Sequence, residues 1–338
     1  MQSADKKEWP LVSAIVLSYN QARFAVECLE SIKAQDYPNL ELIINDDASK
    51  DNSVAVIEEW LAKNPQIPSL FIKSKTNLGI CRSLNNAYRA AKGKYMSGIA
   101  ADDMWLPNKL RHQAGLMESL PAKVGLVYSD AMQMDEQGND LPLKFYEDAG
   151  RNRFFSKMPQ GDVQIELWQA NFIAPMTTLI RRECFDKVGL YDENLFAEDW
   201  DMWLRISRHY EFVFSPQLSA RYRIVGTSAT RNNFGRLMDD MCKTCIKHLK
   251  AGGLPAPVRR AAGVKLHSLA AASFAYKSPR HKQNLTQAMK YRPTGGAALR
   301  LALAWSGLSG SDFERFRSAL RGPRLEPGAP QTLKGKES

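Results

Sequence analysis

Polar side chains follow each of the first four short apolar runs of this chain. The clusters are Ser18-Tyr19-Asn20, Asp46-Asp47, Lys73–Asn77 and Asp102-Asp103. Asp and Asn favour turns, and for any one cluster taken alone this explanation is about as good as a ligand-binding role. In an open parallel sheet, however, ligands bind at the carboxyl ends of the strands, where all the clusters would lie. Adjacent carboxylates repel each other, so each Asp-Asp pair predicts a cation or a hydrogen-bonding ligand beside it.

Alternating strands and helices must position these clusters. Buried apolar runs predict strands at Leu11–Leu17, Leu40–Asn45, Leu70–Lys73, Lys94–Ile99 and Val124–Tyr128. Helical spacing predicts helices at Ala22–Ala34, Ser53–Ala62 and Ile80–Ala91. Repeated units of this length predict an α/β fold with a doubly wound, mostly parallel sheet flanked by helices.

The second half of the chain has a looser pattern. Residues 134–158 predict loops or short strands, because Gly, Pro and polar residues interrupt them. Helices are predicted at Val163–Ala170 and Glu198–Arg208, and strands at Thr177–Ile180, Phe212–Phe214 and Ser219–Ile224. From about Ser228 the pattern is helical, with breaks at Gly252–Pro257 and Pro293–Gly296.

The composition is that of an ordinary globular protein. The 338 residues are 44% hydrophobic and 24% charged, which excludes a wholly disordered chain, a collagen and a disulfide scaffold. No basic-then-apolar leader opens the sequence, and no apolar run approaches the roughly 18 residues of a membrane span. With five Cys and no leader, the prediction is a cytoplasmic protein with reduced thiols.

Charge is distributed unevenly along the chain. Residues 1–226 carry 26 Lys and Arg against 30 Asp and Glu, whereas residues 227–338 carry 20 against 6. The basic residues are not clustered as in a DNA-reading helix, so no nucleic-acid partner is predicted. The apolar helical face of Ala298, Leu301, Trp305 and Leu308 can pack on the body, on a second subunit or on a membrane. Two interactions therefore remain as alternatives. One is contact with an anionic membrane surface, such as the inner face of the cytoplasmic membrane, and the other is formation of a homo-oligomer.

Five segments in this order carry a resemblance to a known family. They are Val12–Asn20 (VSAIVLSYN), Glu41–Asp51 (ELIINDDASKD), Asn77–Tyr95 (NLGICRSLNNAYRAAKGKY), Ala101–Leu110 (ADDMWLPNKL) and Glu198–Ile206 (EDWDMWLRI). Together they resemble the family-2 glycosyltransferases with the GT-A fold, over Trp9–Gly226. The resemblance implies a catalytic domain at 1–226, with a donor half at about 10–130 and an acceptor half at about 131–226. A basic helical region at 227–321 and a disordered tail at 322–338 would follow.

The resemblance implies a reaction and its participants. A nucleotide sugar would donate a sugar to a saccharide or polyprenyl-linked acceptor, with inversion, in bacterial polysaccharide synthesis. Ser18, Tyr19 and Asp47 would hold the nucleoside, since an aromatic ring packs on a base and a carboxylate accepts its imide N–H. Asn20 would belong to the same turn, or would cap the following helix.

The next helix is also implied to face the nucleotide. Asn77 and Gly79 would open it, and Gly79 permits close approach of a ligand. Arg82 or Asn85 would then face the nucleotide, although either residue can equally be plain helix surface.

Charge on the leaving diphosphate requires a cation. By the resemblance, Asp103 would bind Mg²⁺ or Mn²⁺, and Asp102 would face the ribose or the donor sugar. Many relatives carry a further Asp where this chain has Ala100. Many also carry a His after the Tyr-Arg strand, which here reads Tyr222-Arg223-Ile224-Val225-Gly226. Arg221 or Arg223 would supply positive charge instead, or would lie on the outward face of an edge strand.

Attack by an acceptor hydroxyl requires a base. The resemblance assigns that role to Asp199, beside Glu198, and Trp200 and Trp203 offer apolar faces for a sugar ring. A plainer explanation is that these acids are favourable first-turn residues on a helix dipole.

Two other functions compete with sugar transfer. A nucleotidyltransferase can use a similar sheet, but it has no need of Asp199 or of a helix bearing Trp200 and Trp203. A non-catalytic relative that binds membrane or a partner fits the changes at Ala100 and near Val225, but not the retention of Asp47, Asp103 and Asp199. Cys242 and Cys245 form a lone CxxC, which favours helix packing over zinc binding.

Overall fold

A seven-stranded, mostly parallel sheet forms the centre of the protein. The computed structural model describes residues 8–147, 154–195, 198–226 and 234–307. The strands of this sheet are β1 (Val12–Ser18), β2 (Leu40–Asp46), β3 (Ser69–Lys73), β4 (Tyr95–Ala100), β6 (Val124–Tyr128), β9 (Leu179–Arg181) and β10 (Glu211–Phe214). Their order is β10-β6-β9-β4-β1-β2-β3, and only β9 is antiparallel to its neighbours. The predicted α/β class with a mostly parallel sheet is confirmed.

Helices cover both faces of the sheet. They are α1 (Ala25–Lys33), α2 (Ser53–Lys63), α3 (Ile80–Ala90), α4 (Lys109–Ser119), α5 (Gln164–Gln169), α6 (Arg182–Val188) and α7 (Glu198–Ile206). Alternate residues of β1 point to opposite faces, so Ile15 joins one hydrophobic cluster while Ala14 and Val16 join the other. Because both faces are buried, β1 is a continuous apolar run, as its sequence predicted.

A second, smaller sheet lies beside the carboxyl ends of β1 and β4. Its strands are β5 (Met104–Trp105), β7 (Ala131–Met134), β8 (Asp140–Lys144) and β11 (Ala220–Arg223), in the order β5-β11-β7-β8. The suggestion that the Tyr-Arg segment forms an edge strand is wrong, because β11 pairs with β5 on one side and β7 on the other. The sequence did not predict β5 or β7.

Four helices complete the described chain: α8 (Phe234–Ala251), α9 (Ala256–Ala275), α10 (His281–Tyr291) and α11 (Gly295–Trp305). The break between α9 and α10 was not predicted; there Lys277 has a φ of 49° and Pro279 follows. Cys245 and Leu266 share one hydrophobic cluster with Trp200 of α7, so these C-terminal helices pack on the α/β body.

The last described helix packs by a different face from the predicted one. Ala297, Leu303 and Ala304 are buried, whereas Trp305 is 67% exposed. The predicted helical start near Ser228, the predicted contact of Leu308 and the predicted disordered tail at 322–338 lie outside the described residues. Among the helices that are described, none is long and apolar enough to cross a membrane.

All five cysteines of the chain are buried free thiols. Cys242 and Cys245 lie in the packed face of α8, and the described residues hold no group of three or more His, Cys, Asp or Glu side chains suited to a metal ion. The Cys242–Cys245 pair therefore packs, as its lone CxxC spacing favoured.

Candidate active site

The turn after β1 is tied to the turn after β2. The Ser18 hydroxyl donates to the Asp46 carboxylate at 2.9 Å, and the Asn20 amide N–H donates to Ser49 Oγ at 2.8 Å. Tyr19 is 41% exposed above this junction. Asn20 is not a helix N-cap, because α1 begins at Ala25 after Phe24. Its Oδ1 instead accepts from the Lys50 amide at 2.8 Å, which holds the two turns together.

Asp47 anchors the start of α3. Its buried carboxylate accepts the Leu78 amide at 2.7 Å on one oxygen and the Gly79 amide at 2.8 Å on the other. Gly79 has a φ of +85°, a conformation that favours glycine, and the Asn77 side chain donates to the Asp47 carbonyl. Each carboxylate oxygen can accept a second hydrogen bond. Contact of Asp47 with a nucleoside therefore stays a prediction.

Arg82 and Asn85 bind the loop before α7. Arg82 Nε lies 3.1 Å from the Glu193 carboxylate. Asn85 is buried and exchanges two hydrogen bonds with the Tyr191 backbone, at 3.0 and 2.9 Å. In this structure both side chains thus join α3 to the loop before α7, and their contact with a nucleotide stays a prediction.

The Asp102-Asp103 pair lies where β4 ends, with Asp103 buried and Asp102 half-buried. Asp103 Oδ1 accepts the Arg223 amide N–H at 2.9 Å, and Asp102 Oδ2 accepts from Gln21 at 3.2 Å. Burial and the adjacent Asp102 charge raise the pKa of Asp103 well above its usual value, and burial raises the pKa of Asp102. It is costly to ionise both of these adjacent carboxylates at once. The pair is therefore a suitable site for a cation, which would offset the repulsion. Over the described ranges, no cluster of three or more potential ligand side chains accompanies them. A metal here would therefore complete its shell from a donor's phosphates and water, as Mg²⁺ commonly does.

Arg223 is the buried cation behind this acid pair. Its guanidinium donates to the Asp102 carbonyl at 2.8 Å, to Glu27 at 2.5 Å and to the Glu136 carbonyl at 3.1 Å. It also lies 4.6 Å from the centroid of the Phe24 ring and opposes the rise in the pKa of Asp103. Arg221 instead pairs with the exposed Asp140. Of the two arginines offered by the sequence, Arg223 is therefore the one at the acid pair.

One cavity of about 480 Å³ unites the predicted metal ligand with the predicted base. Asp103 lines it from the sheet edge, and Glu198, Asp199, Trp200 and Trp203 line it from α7. The other predicted site residues do not line it: Ser18, Tyr19, Asn20, Asp47, Asn77, Gly79, Arg82 and Asp102. The cavity therefore contains the predicted metal ligand and the predicted base but not the residues predicted to hold the nucleoside.

The two acids at the start of α7 differ in their environment. Asp199 Oδ2 accepts from the Asn171 side chain at 3.0 Å, and Oδ1 accepts the Trp200 amide at 2.6 Å. Burial, the Asp199 charge and the Asp240 charge raise the pKa of Glu198 to about 8. Asn171 lies in the loop after α5, and nothing in its sequence context marks it.

Trp200 and Trp203 line the cavity wall, but they do not present full ring faces on which a sugar could stack. They are 0% and 1% exposed. Trp200 donates its indole N–H to the Leu167 carbonyl at 2.8 Å and packs edge-on against Trp168. Their rings therefore fix α7 in the core and present only part of their surface to the cavity.

Comparison with known proteins identifies the class. The family model described as "Glycosyl transferase family 2" matches residues 13–189. The chain belongs to glycosyl transferase family 2. This glycosyltransferase is 30% identical over 243 residues to an uncharacterized glycosyltransferase of Rickettsia prowazekii, covering 71% of this chain and 73% of the relative. It is also 30% identical over 210 residues to WcaA of Escherichia coli K12, named as a colanic acid biosynthesis glycosyl transferase, covering 60% and 68%.

Solved structures share the fold of this glycosyltransferase. The mannosyltransferase PcManGT from Pyrobaculum calidifontis, in complex with GDP-Man and Mn²⁺, superposes with a TM-score of 0.60 at 20% identity, covering 89% of this chain and 84% of that one. Residues 1–349 of Staphylococcus aureus TarS, in complex with UDP-GlcNAc, give a TM-score of 0.65 at 15% identity, covering 94% and 93%. The predicted GT-A fold is confirmed.

Proposed function

We propose that this family-2 glycosyltransferase moves a sugar from a nucleotide-sugar donor to a saccharide or lipid-linked saccharide acceptor, with inversion at the anomeric carbon. The observation that carries the proposal is the shared cavity of Asp103 and Asp199. A strand-end acid suited to a cation and a helix-start acid suited to a proton thus face one space. Direct displacement at a sugar needs both, on opposite sides of the reacting carbon.

Asp199 is the proposed base. The acceptor hydroxyl would form a bond to the anomeric carbon as the bond to the nucleoside diphosphate breaks, and its proton would pass to Asp199 Oδ. The Asn171 amide, 3.0 Å from Oδ2, would hold the carboxylate in place for that transfer. Glu198, with its raised pKa, would stay protonated at neutral pH and would donate a hydrogen bond instead of accepting a proton.

Asp103, with Asp102 beside it, is the proposed holder of Mg²⁺ or Mn²⁺. The metal would neutralise charge on the leaving diphosphate. Support comes from the burial of Asp103, from the raised pKa values of both acids, and from the Mn²⁺ complex of PcManGT. Arg223 would keep the two acids in register with β11 through its backbone and side-chain hydrogen bonds.

Nucleotide sugars are proposed as donors because PcManGT and TarS have structures with GDP-Man and UDP-GlcNAc. The relationship to WcaA favours polysaccharide synthesis as the setting. The C-terminal helices would approach an anionic membrane that carries a lipid-linked acceptor, since residues 234–307 hold thirteen Lys and Arg against two Asp.

A donor panel tests the proposed function. The protein would be mixed with nucleotide sugars and Mn²⁺ or Mg²⁺, and thermal shift and release of nucleoside diphosphate would be measured. One donor should stabilise the protein only with metal, by about 2.7 kcal/mol at a hundredfold excess over Kd. Asp103→Ala should abolish the shift, whereas Asp140→Ala, at an exposed acid paired with Arg221, should retain it.

Two results would overturn the proposal in different ways. Release of pyrophosphate from a nucleoside triphosphate and a sugar phosphate would indicate a nucleotidyltransferase. Failure of every nucleotide sugar to bind, with the protein folded, would favour a non-catalytic relative.

A further inference from the structure

One end of the active-site cavity is lined by apolar rows from two helices. Ile80 and Leu84 of α3, four residues apart, line it together with Leu237 and Met241 of α8, also four apart. All four side chains are only partly buried. Residues at this spacing lie on one face of a helix, so each helix presents an apolar stripe to the same space.

Buried charges hold α8 in this position. Asp201 of α7 is 0% exposed and accepts from His248 and from Lys247 of α8, each at 2.9 Å. Lys247 also contacts Asp192 at 2.8 Å, in the loop that contributes Tyr191 to the cavity. The α8 wall is therefore fixed to the helix that carries Asp199.

Apart from tyrosine and tryptophan rings, the polar side chains of the cavity come from outside α3 and α8, and they are Asp103, Asn171, Thr178, Glu198 and Asp199. Tyr88 of α3 also lines the cavity, and its hydroxyl accepts from the Tyr191 hydroxyl at 3.4 Å. A saccharide buries hydroxyl groups that lose hydrogen bonds with water, so it favours the polar side of the cavity. An aliphatic chain has no hydrogen bonds with water to lose, and its burial against Leu and Met is favourable. The two sides of the cavity thus suit an acceptor that is a sugar at one end and a hydrocarbon at the other.

We propose that Leu237 and Met241, with Ile80 and Leu84, form a subsite for an aliphatic chain attached to the acceptor saccharide. The inference rests on the proposed sugar transfer and names the class of acceptor. Because α8 lies beyond the residues that the family model matches, this wall is supplied by the chain's own C-terminal helices.

Paired glucosides test the subsite without a donor. Octyl β-D-glucoside, kept below its critical micelle concentration, and methyl β-D-glucoside would be titrated into the full-length protein by calorimetry. The octyl compound should bind at least about tenfold more tightly than the methyl compound, because several CH₂ groups become buried. Met241→Gln and Leu237→Asn should each weaken octyl glucoside binding by about tenfold, since they place an amide in the apolar wall.

Control variants distinguish binding at the subsite from non-specific binding of the detergent. Val264→Gln changes an apolar residue of α9 that is 44% exposed and outside the cavity, and it should leave octyl glucoside binding unchanged. Unfolding curves identify variants that are misfolded, and Met241→Leu should restore binding. Equal affinity for the two glucosides, or octyl glucoside binding unchanged in both Met241→Gln and Leu237→Asn, would overturn the proposal. Metal-dependent donor binding, measured separately, reports on the proposed function itself.

Discussion

Asp199 and Asp103 lie on different elements but face one cavity, so substitutions at the two residues should have different effects. Asp199→Asn keeps the size of the side chain and most hydrogen bonding but cannot accept a proton. Sugar transfer should fall by at least about two orders of magnitude, with little change in donor affinity. Asp103→Ala should lose donor affinity and transfer together.

Calorimetry with the donor, beside turnover for each variant, checks this prediction. Near-normal transfer by Asp199→Asn, or loss of donor binding as complete as in Asp103→Ala, would place the base elsewhere. Glu198, which also lines the cavity, would then be tested.

Glu198 gives a dependence of stability on pH. Its pKa of about 8 in the folded protein exceeds its ordinary value of 4.5, so the folded state binds more protons between these two pH values. Its contribution to stability is therefore fully present below about pH 4.5 and is lost as the pH rises through about 8. The side chain of Glu198→Gln cannot ionise, so this variant should lack the part of the stability loss at high pH that is due to Glu198. The fall in melting temperature from pH 6 to pH 9 would be measured for both proteins. An equal fall in the two would contradict the assignment.

Arg223 and Arg221 lie on one strand but should differ in their contribution to stability. Arg223→Met leaves the Asp102 and Glu136 carbonyls and the half-exposed Glu27 carboxylate without their donor, and it should lower the free energy of unfolding by about 1–3 kcal/mol. Arg221→Met removes a pair with exposed Asp140 and should cost less than about 1 kcal/mol. Urea unfolding of the two variants compares them. Similar losses would mean that the buried network around Arg223 is not stabilising.

At the scale of the secondary-structure elements, the C-terminal helices meet the family-2 body where α9 packs on α5 and where buried charges join α7 to α8. His248 donates Nε2–H to Asp201 and accepts from Arg208 at Nδ1, a pattern of neutral imidazole. Burial lowers the pKa of His248 despite the hydrogen bond to Asp201. Although burial acts to raise it, the bond from His248 and the charges of Arg205 and Lys247 hold the pKa of Asp201 well below its usual range.

Asp201→Ala should therefore weaken the docking of α8. The change leaves the partner cations without their carboxylate and should cost about 3–5 kcal/mol. Amide hydrogen exchange should accelerate in α8 before it accelerates in β1. Asp192→Asn is the matched control, because it removes the charge of the partly exposed partner of Lys247 while an oxygen remains to accept from Asn194, and it should cost less than about 1 kcal/mol. Uniform acceleration across the whole chain would contradict a local role.

The elements of the parallel sheet were predictable because burial on both faces makes their sequences continuously apolar. Short strands such as β5, with two residues, carry no such pattern, and β11 was misjudged as a candidate edge strand. Among site residues, the acids stood out by type and spacing. Asn171 could not be found, because its role depends on the tertiary position of Asp199.

At the scale of the whole molecule, charge separation predicts an interaction with anionic surfaces. The described C-terminal helices carry thirteen Lys and Arg against two Asp, and Trp305 is exposed beside Lys282. Binding to liposomes should rise with the fraction of anionic lipid. It should fall with added salt, since the screening length is about 8 Å at physiological ionic strength. Co-sedimentation measures this, and equal partition onto neutral and anionic vesicles, or none, would contradict it.

The buried thiols have a practical consequence for following this protein in solution. Cys28 lies on α1 and Cys81 on α3, which both cover the parallel sheet, while Cys242 and Cys245 lie on the packed face of α8, and burial raises the pKa of each. Thiolate is the reactive form, so an alkylating reagent should modify these positions only during transient opening. Mass spectrometry of the order in which the cysteines become labelled would therefore resolve the opening of α8 from that of the sheet, without any introduced probe.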